Sequence, residues 1–105
     1  MLTQKTTGAG RALEKLAQDV SQLDTSVTWD PGSIADGDEA AVDVSVPGAV
    51  FGDFALASFS ADIGDLNLVA QVTAAGVVTA QLNNNTGGAI DLASGTLYIR
   101  VLKRV

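Results

Sequence analysis

Apolar and polar residues alternate with a period of two along most of the chain, and follow a helical period in only one stretch. Val42, Val44 and Val46 alternate with Asp43 and Ser45, the pattern of a strand with one buried face. Pro47-Gly48 ends that strand, because proline brings no N–H to a ladder. Gly52-Asp53 is the next turn, after which Phe54, Leu56 and Ser58 alternate with Ala55, Ala57 and Phe59. Beyond Ile63-Gly64-Asp65, the positions Leu66, Leu68, Ala70 and Val72 lead to a hairpin turn at Thr73-Ala74-Ala75-Gly76, and Val77–Leu82 forms its second arm. Asn83–Gly88 reads as a loop, Asp91–Gly95 as a turn, and Thr96–Leu102 as the closing strand. Upstream, a first short strand holds Val27 and Trp29 and stops at Asp30-Pro31-Gly32, and Asp36-Gly37-Asp38-Glu39 is a polar turn. Six or so short strands separated by turns predict a mostly β chain, with a small β-sandwich or jelly-roll-like domain over residues 25–105.

Residues 11–23 (RALEKLAQDVSQL) break this period. Leu13, Leu16, Val20 and Leu23 follow one another at spacings of three, four and three, which puts them on one face of a short N-terminal α-helix. Residues 1–10 are mostly polar with two glycines and read as an arm, so residues 1–24 form an arm and helix ahead of the β domain. A lone helix of this length is marginal in water, and its apolar face has to rest on something. Either it packs on its own β domain or it joins other copies in a short bundle. Leu13, Leu16, Val20 and Leu23, with the bases Arg11 and Lys15 beside them, are therefore the candidate contact residues.

Composition sharpens this picture. With 105 residues there is room for one domain, yet 47% of them are apolar and only 17% charged, against an average near 25% charged. Either small Ala and Val side chains build the core, or apolar surface is buried against other subunits, or both. No base lies between Lys15 and Arg100, while acids from Asp19 to Asp91 fill that stretch. An acidic body repels phosphate backbones, so no nucleic-acid partner is expected. The basic ends (Lys5, Arg11 and Lys15, then Arg100, Lys103 and Arg104) are either solvated termini or points that dock on an acidic partner. No signal-peptide pattern and no membrane-length apolar run are expected, and Asn84-Asn85-Thr86 matches a glycosylation sequon only by coincidence.

The chain has neither histidine nor cysteine, which removes the usual general base, the thiol nucleophile and most transition-metal sites. Asp36, Asp38 and Glu39 form the densest acidic cluster. Their setting in a glycine-containing turn fits solvated acids better than calcium binding, glycoside chemistry or a metal-dependent hydrolase, and their spacing is not that of an EF-hand. No glycine pattern opens a helix after a strand, so no phosphate cradle is expected. The sequence is that of a structural or binding module without cofactors, not of an enzyme. Trp29, the single tryptophan, shares a strand face with Val27 and is expected in the core; a sugar platform built on Trp29 or Tyr98 is the competing reading.

From Trp29 to Arg104 the chain resembles a small β domain of bacteriophage structural proteins. The segments that carry the likeness are WDPGSIADGDEAAVDVSVPGAVFGD, VTAAGVVTAQLNN and TGGAIDLASGTLYIRVLKR. Similar sequences often have a second proline directly after the first in the turn following the tryptophan, where this chain has Gly32. The resemblance implies a virion component: a capsid cement or decoration protein bridging subunits of the major capsid protein, often as a homo-trimer, or the head-bound part of a fibre. In that setting Arg11, Leu13, Lys15, Leu16, Val20 and Leu23 are the expected oligomer or capsid contacts. A tail-fibre or receptor-binding module recognising a cell-surface glycan is the alternative.

Overall fold

Eight strands run through the computed structural model, which describes residues 22–104. They are β1 (Gln22–Trp29), β2 (Gly32–Ile34), β3 (Glu39–Ser45), β4 (Phe54–Phe59), β5 (Asn67–Ala74), β6 (Val77–Asn83), β7 (Ile90–Leu92) and β8 (Gly95–Leu102). Every pairing is antiparallel, and the sheets are ordered β1-β8-β4, β2-β7 and β3-β6-β5. Three of the pairs are nested, β1 with β8, β2 with β7 and β3 with β6, while β4 adds to β8 and β5 to β6, and β4 and β5 lie against each other between the sheets. The mostly β expectation holds. Two strands were not foreshadowed by the pattern, since β2 follows the Asp30-Pro31 turn directly and β7 occupies part of the expected Asp91–Gly95 turn. Each is only three residues long, too short for alternation to register.

The helix expected over residues 11–23 does not extend to Leu23, because β1 is already formed at Gln22. Leu23 fits the helical spacing from Val20 and also the alternation Leu23, Thr25, Val27, Trp29. The ladder decides between them: β1 pairs with β8 along its whole length, with Leu23 opposite Val101. The β body thus includes Gln22–Asp24, ahead of the boundary expected at residue 25. Arg11, Leu13, Lys15, Leu16 and Val20 lie outside the described residues.

The two central strands supply the deepest core. Leu97, Ile99 and Val101 of β8 and Val78, Ala80 and Leu82 of β6 are buried, and they join Trp29, Ile34, Val44, Val46, Leu66 and Val72 in one cluster. Trp29 is in the core as its strand pattern predicts. Its ring meets that of Phe59 edge-on, with centroids 6.0 Å apart and planes at 83°. These residues stand on β1 and β4, with β8 between them. Gly95 of β8 makes the meeting possible, because a Cβ there would lie 2.7 Å from Phe59 Cζ and 2.8 Å from Ser60 Oγ. At Gly32 the backbone has φ +70°, which glycine adopts freely and proline, fixed near −65°, does not. The turn after Trp29 therefore differs in shape from one carrying two prolines.

One buried polar residue closes the nest. Asn84 is fully buried, and its Nδ2 donates to the carbonyl oxygens of Ile34 and Gly88, both at 2.8 Å. Its Oδ1 accepts from Thr86 N at 2.9 Å and from the Thr86 hydroxyl at 2.7 Å. Its backbone N–H donates to Asp38 O, and its carbonyl accepts from Gly37 N. With both amide hydrogens engaged in the interior, the folded chain does not offer Asn84 for glycosylation.

Asn84→Ala strips partners from the carbonyls of Ile34 and Gly88 and from Thr86 N. It is expected to cost about 2–4 kcal/mol, read from urea denaturation. Gly95→Ala is expected to cost about 1–3 kcal/mol by overpacking against Phe59, with a change in the near-ultraviolet signal of Trp29.

Candidate interaction surface

The two three-stranded sheets turn very different faces outward. On the β3-β6-β5 sheet the outward positions are largely polar, and a hydrogen-bond chain crosses all three strands. Thr73 donates to Thr79 at 2.7 Å, and Thr79 donates to Asp43 Oδ1 at 2.6 Å. On the β1-β8-β4 sheet the outward face is apolar at one end. Its first row across the strands is Gln22, Leu102 and Phe54, its second Asp24, Arg100 and Leu56, and its third Ser26, Tyr98 and Ser58. Phe54 is 60% exposed, Leu56 53% and Tyr98 50%, a concentration of bulky apolar surface that a closed body leaves uncovered only rarely. The turn leading into β4 adds exposed Val50 and Phe51. On β4 Phe54 and Leu56 face solvent, while Ala55, Ala57 and Phe59 face the core.

A single ion pair sits within this face. Arg100 Nε and Nη2 donate to the two carboxylate oxygens of Asp24 at 2.8 and 3.0 Å. The hydrogen bonds from Arg100 hold the Asp24 carboxyl below its ordinary range, and the same contact raises Arg100. Both partners are about half exposed, so the pair is screened by salt and adds little stability. Next to Leu56, Ser58 and Tyr98 it lines a shallow groove of about 330 Å³.

A second ion pair ties the chain ends of this sheet together. Lys103 Nζ donates to Asp53 Oδ2 at 2.6 Å and to Gly48 O at 2.7 Å. The Asp53 carboxylate also accepts from Val50 N at 3.0 Å and Arg104 N at 3.1 Å, and its side chain is only 2% exposed. These donors, Lys103 first, lower its pKa from 3.8 to about 2. Lys103 is thus a structural clamp on the 48–53 turn and not a freely solvated terminal base.

The acidic turn residues hold loops. Asp36 Oδ1 accepts from Gly87 N at 3.0 Å, and Asp38 Oδ1 accepts from Glu39 N at 2.8 Å. Among the described residues no group of three or more acids is placed to hold a metal ion. Of the expected contact residues, Leu23 is the one within the described body. It is half-buried on the inward side of β1, packed against the core, and a Cβ on Gly48 would meet its Cδ1 at 3.3 Å. Helical spacing does not bring out Phe54, Leu56, Tyr98 and Leu102. For Phe54 and Leu56 the signal is the segment FALASF, in which they share one alternating face with Ser58 while Ala55, Ala57 and Phe59 share the other. No protein-family model and no curated protein matches the chain.

Because the folded pKa of Asp53 lies below its ordinary value, its contribution to stability is complete above about pH 4 and is lost as the pH falls through about 2. The melting temperature should drop across that window, and Asp53→Asn should lower it at pH 7 and flatten the drop. Asp24→Asn should have the smaller effect, and one that added salt erases; calorimetry at two salt concentrations reads both.

Proposed function

We propose that the chain is a bacteriophage virion structural protein, a capsid cement or decoration protein that stabilises the shell by bridging neighbouring subunits of the major capsid protein. The observation that carries this reading is the uncovered apolar face of the β1-β8-β4 sheet. It spans three strands and is open to solvent, which suits another protein surface better than a small molecule enclosed on all sides. The nested strand pairs support a β-sandwich of jelly-roll-like type, a scaffold for binding and assembly more than for chemistry. The phage-like segments from Trp29 to Arg104 supply the virion context. In this arrangement the acidic body lies at the capsid surface, in contact with neither nucleic acid nor membrane. The basic N-terminal segment with Arg11 and Lys15 is the foot on the shell, and the copies are grouped, most simply as trimers. The other assignment exchanges the two roles, with Leu13, Leu16 and Val20 as the seam between copies and the β face on the capsid.

One specific feature favours a receptor-binding role as the second reading. Tyr98 offers a half-exposed ring in the groove beside the Asp24 carboxylate and the Arg100 guanidinium, a combination of stacking surface and hydrogen-bonding groups that a sugar would use. Trp29, in the core, contributes nothing to such a platform.

Quantitative mass spectrometry of purified virions separates the readings. Several hundred copies, roughly the order that icosahedral symmetry sets, are expected for the cement role. About a dozen copies, with retention on a host polysaccharide column that Tyr98→Ala abolishes, would transfer the chain to a fibre tip. Absence from virions would overturn both.

A further inference from the structure

We infer that the outward face of the β1-β8-β4 sheet is the docking surface for a second copy of this chain. Charge selects the partner. The described body carries exposed acids elsewhere, among them Glu39 and Asp43 on the opposite sheet and Asp30, Asp62, Asp65 and Asp91 in loops and on the short ribbon. Two copies approaching through those surfaces repel each other. On the β1-β8-β4 face the one outward acid, Asp24, is already neutralised by Arg100 at 2.8 Å. Here two like-charged bodies can meet without juxtaposing unmatched carboxylates.

Area points the same way. Phe54, Leu56, Tyr98 and Leu102 expose roughly 400 Å² of side chain together, taking about 100 Å² for each partly exposed large residue. That is about half of the ~800 Å² each partner contributes to a stable complex, and the polar positions of β1 and β8 around them complete the patch as a rim.

The test uses the full chain and needs no virion, so its failure and that of the cement role are separate results. Sedimentation velocity over a dilution series gives the midpoint of dissociation for the wild type, Leu56→Asp and Val69→Asp. Val69 is the matching exposed apolar residue on the outward side of β5. The expected result is an oligomeric wild type, a midpoint raised at least tenfold by Leu56→Asp with an unchanged β circular dichroism spectrum, and a midpoint unmoved by Val69→Asp. Phe54→Glu is to be used in place of Leu56→Asp if the latter does not fold, and the same tenfold shift is expected. A wild type that is monomeric at the highest concentration, as a face reserved for capsid or glycan would leave it, overturns the inference. So does a midpoint for Leu56→Asp within twofold of the wild type, or equal weakening by Val69→Asp.

Discussion

The fold depends on a buried amide that is completely satisfied. Asn84 lies where the loop after β2 meets the loop before β7, and it binds both with the hydrogens of one nitrogen. A three-residue, two-stranded ribbon such as β2-β7 is not stable by itself. It persists because Asn84 fixes the carbonyl at the end of β2 and the carbonyl two residues before β7, while Gly37, Asp38 and Thr86 engage the rest of the residue. In a low-dielectric interior such a network is strong when complete and costly when any member is missing. It joins the β3-β6 ladder, which ends at Glu39 opposite Asn83, to the ribbon that continues the nest. The outer pair β1-β8 is closed at its own end by Trp29 and Phe59 over Gly95. The two closures are of different kinds, one polar and one aromatic.

The apolar excess of the sequence is accommodated in two ways at once. About half of the core is Val and Ala, and the alanines on the inward side of β4 and β5 (Ala55, Ala57 and Ala70) leave the room in which those strands approach. Opposite them, Phe54 and Leu56 point outward, and only at the end of β4 does a large side chain, Phe59, turn in against Trp29. Over Phe54–Ala57 small residues inside and large ones outside reverse the usual order of burial. The same strand thus serves close packing within the body and an apolar surface outside it.

Most of the larger elements were legible in the chain because period-two alternation leaves a mark over six or more residues. β3, β5, β6 and β8 lie where the valines and leucines put them, and the Ala75-Gly76 turn joins β5 to β6 as a hairpin. Besides the short strands β2 and β7, three features were not legible because residues far away in sequence decide them. Leu23 satisfies helical and strand spacing equally until Val101 appears opposite it, 78 positions along the chain. Asn84 looks like any loop asparagine, since nothing nearby in sequence reveals the Ile34 carbonyl it meets. Lys103 reads as a solvated end until Asp53 is brought beneath it. The outward face lies between these cases: FALASF shows two apolar faces, but only the fold tells which of them is inside.

Exposed apolar sheet surface is dangerous to a protein at high local concentration, because it invites association without register or limit. The Asp24–Arg100 pair bears on that danger. It is too exposed to add much stability, but it places a fixed polar cross-link in the second row, between the Phe54-Leu102 end and Tyr98. A surface that covers the face has to leave both charged groups hydrated or supply them with hydrogen bonds, and an arbitrary apolar patch does neither. Wrong partners therefore pay a desolvation penalty that a partner of matching shape avoids. The acids of the opposite sheet and of the loops add repulsion where copies approach through them. Apolar area supplies the attraction, while one ion pair and a distributed negative charge restrict where it can act.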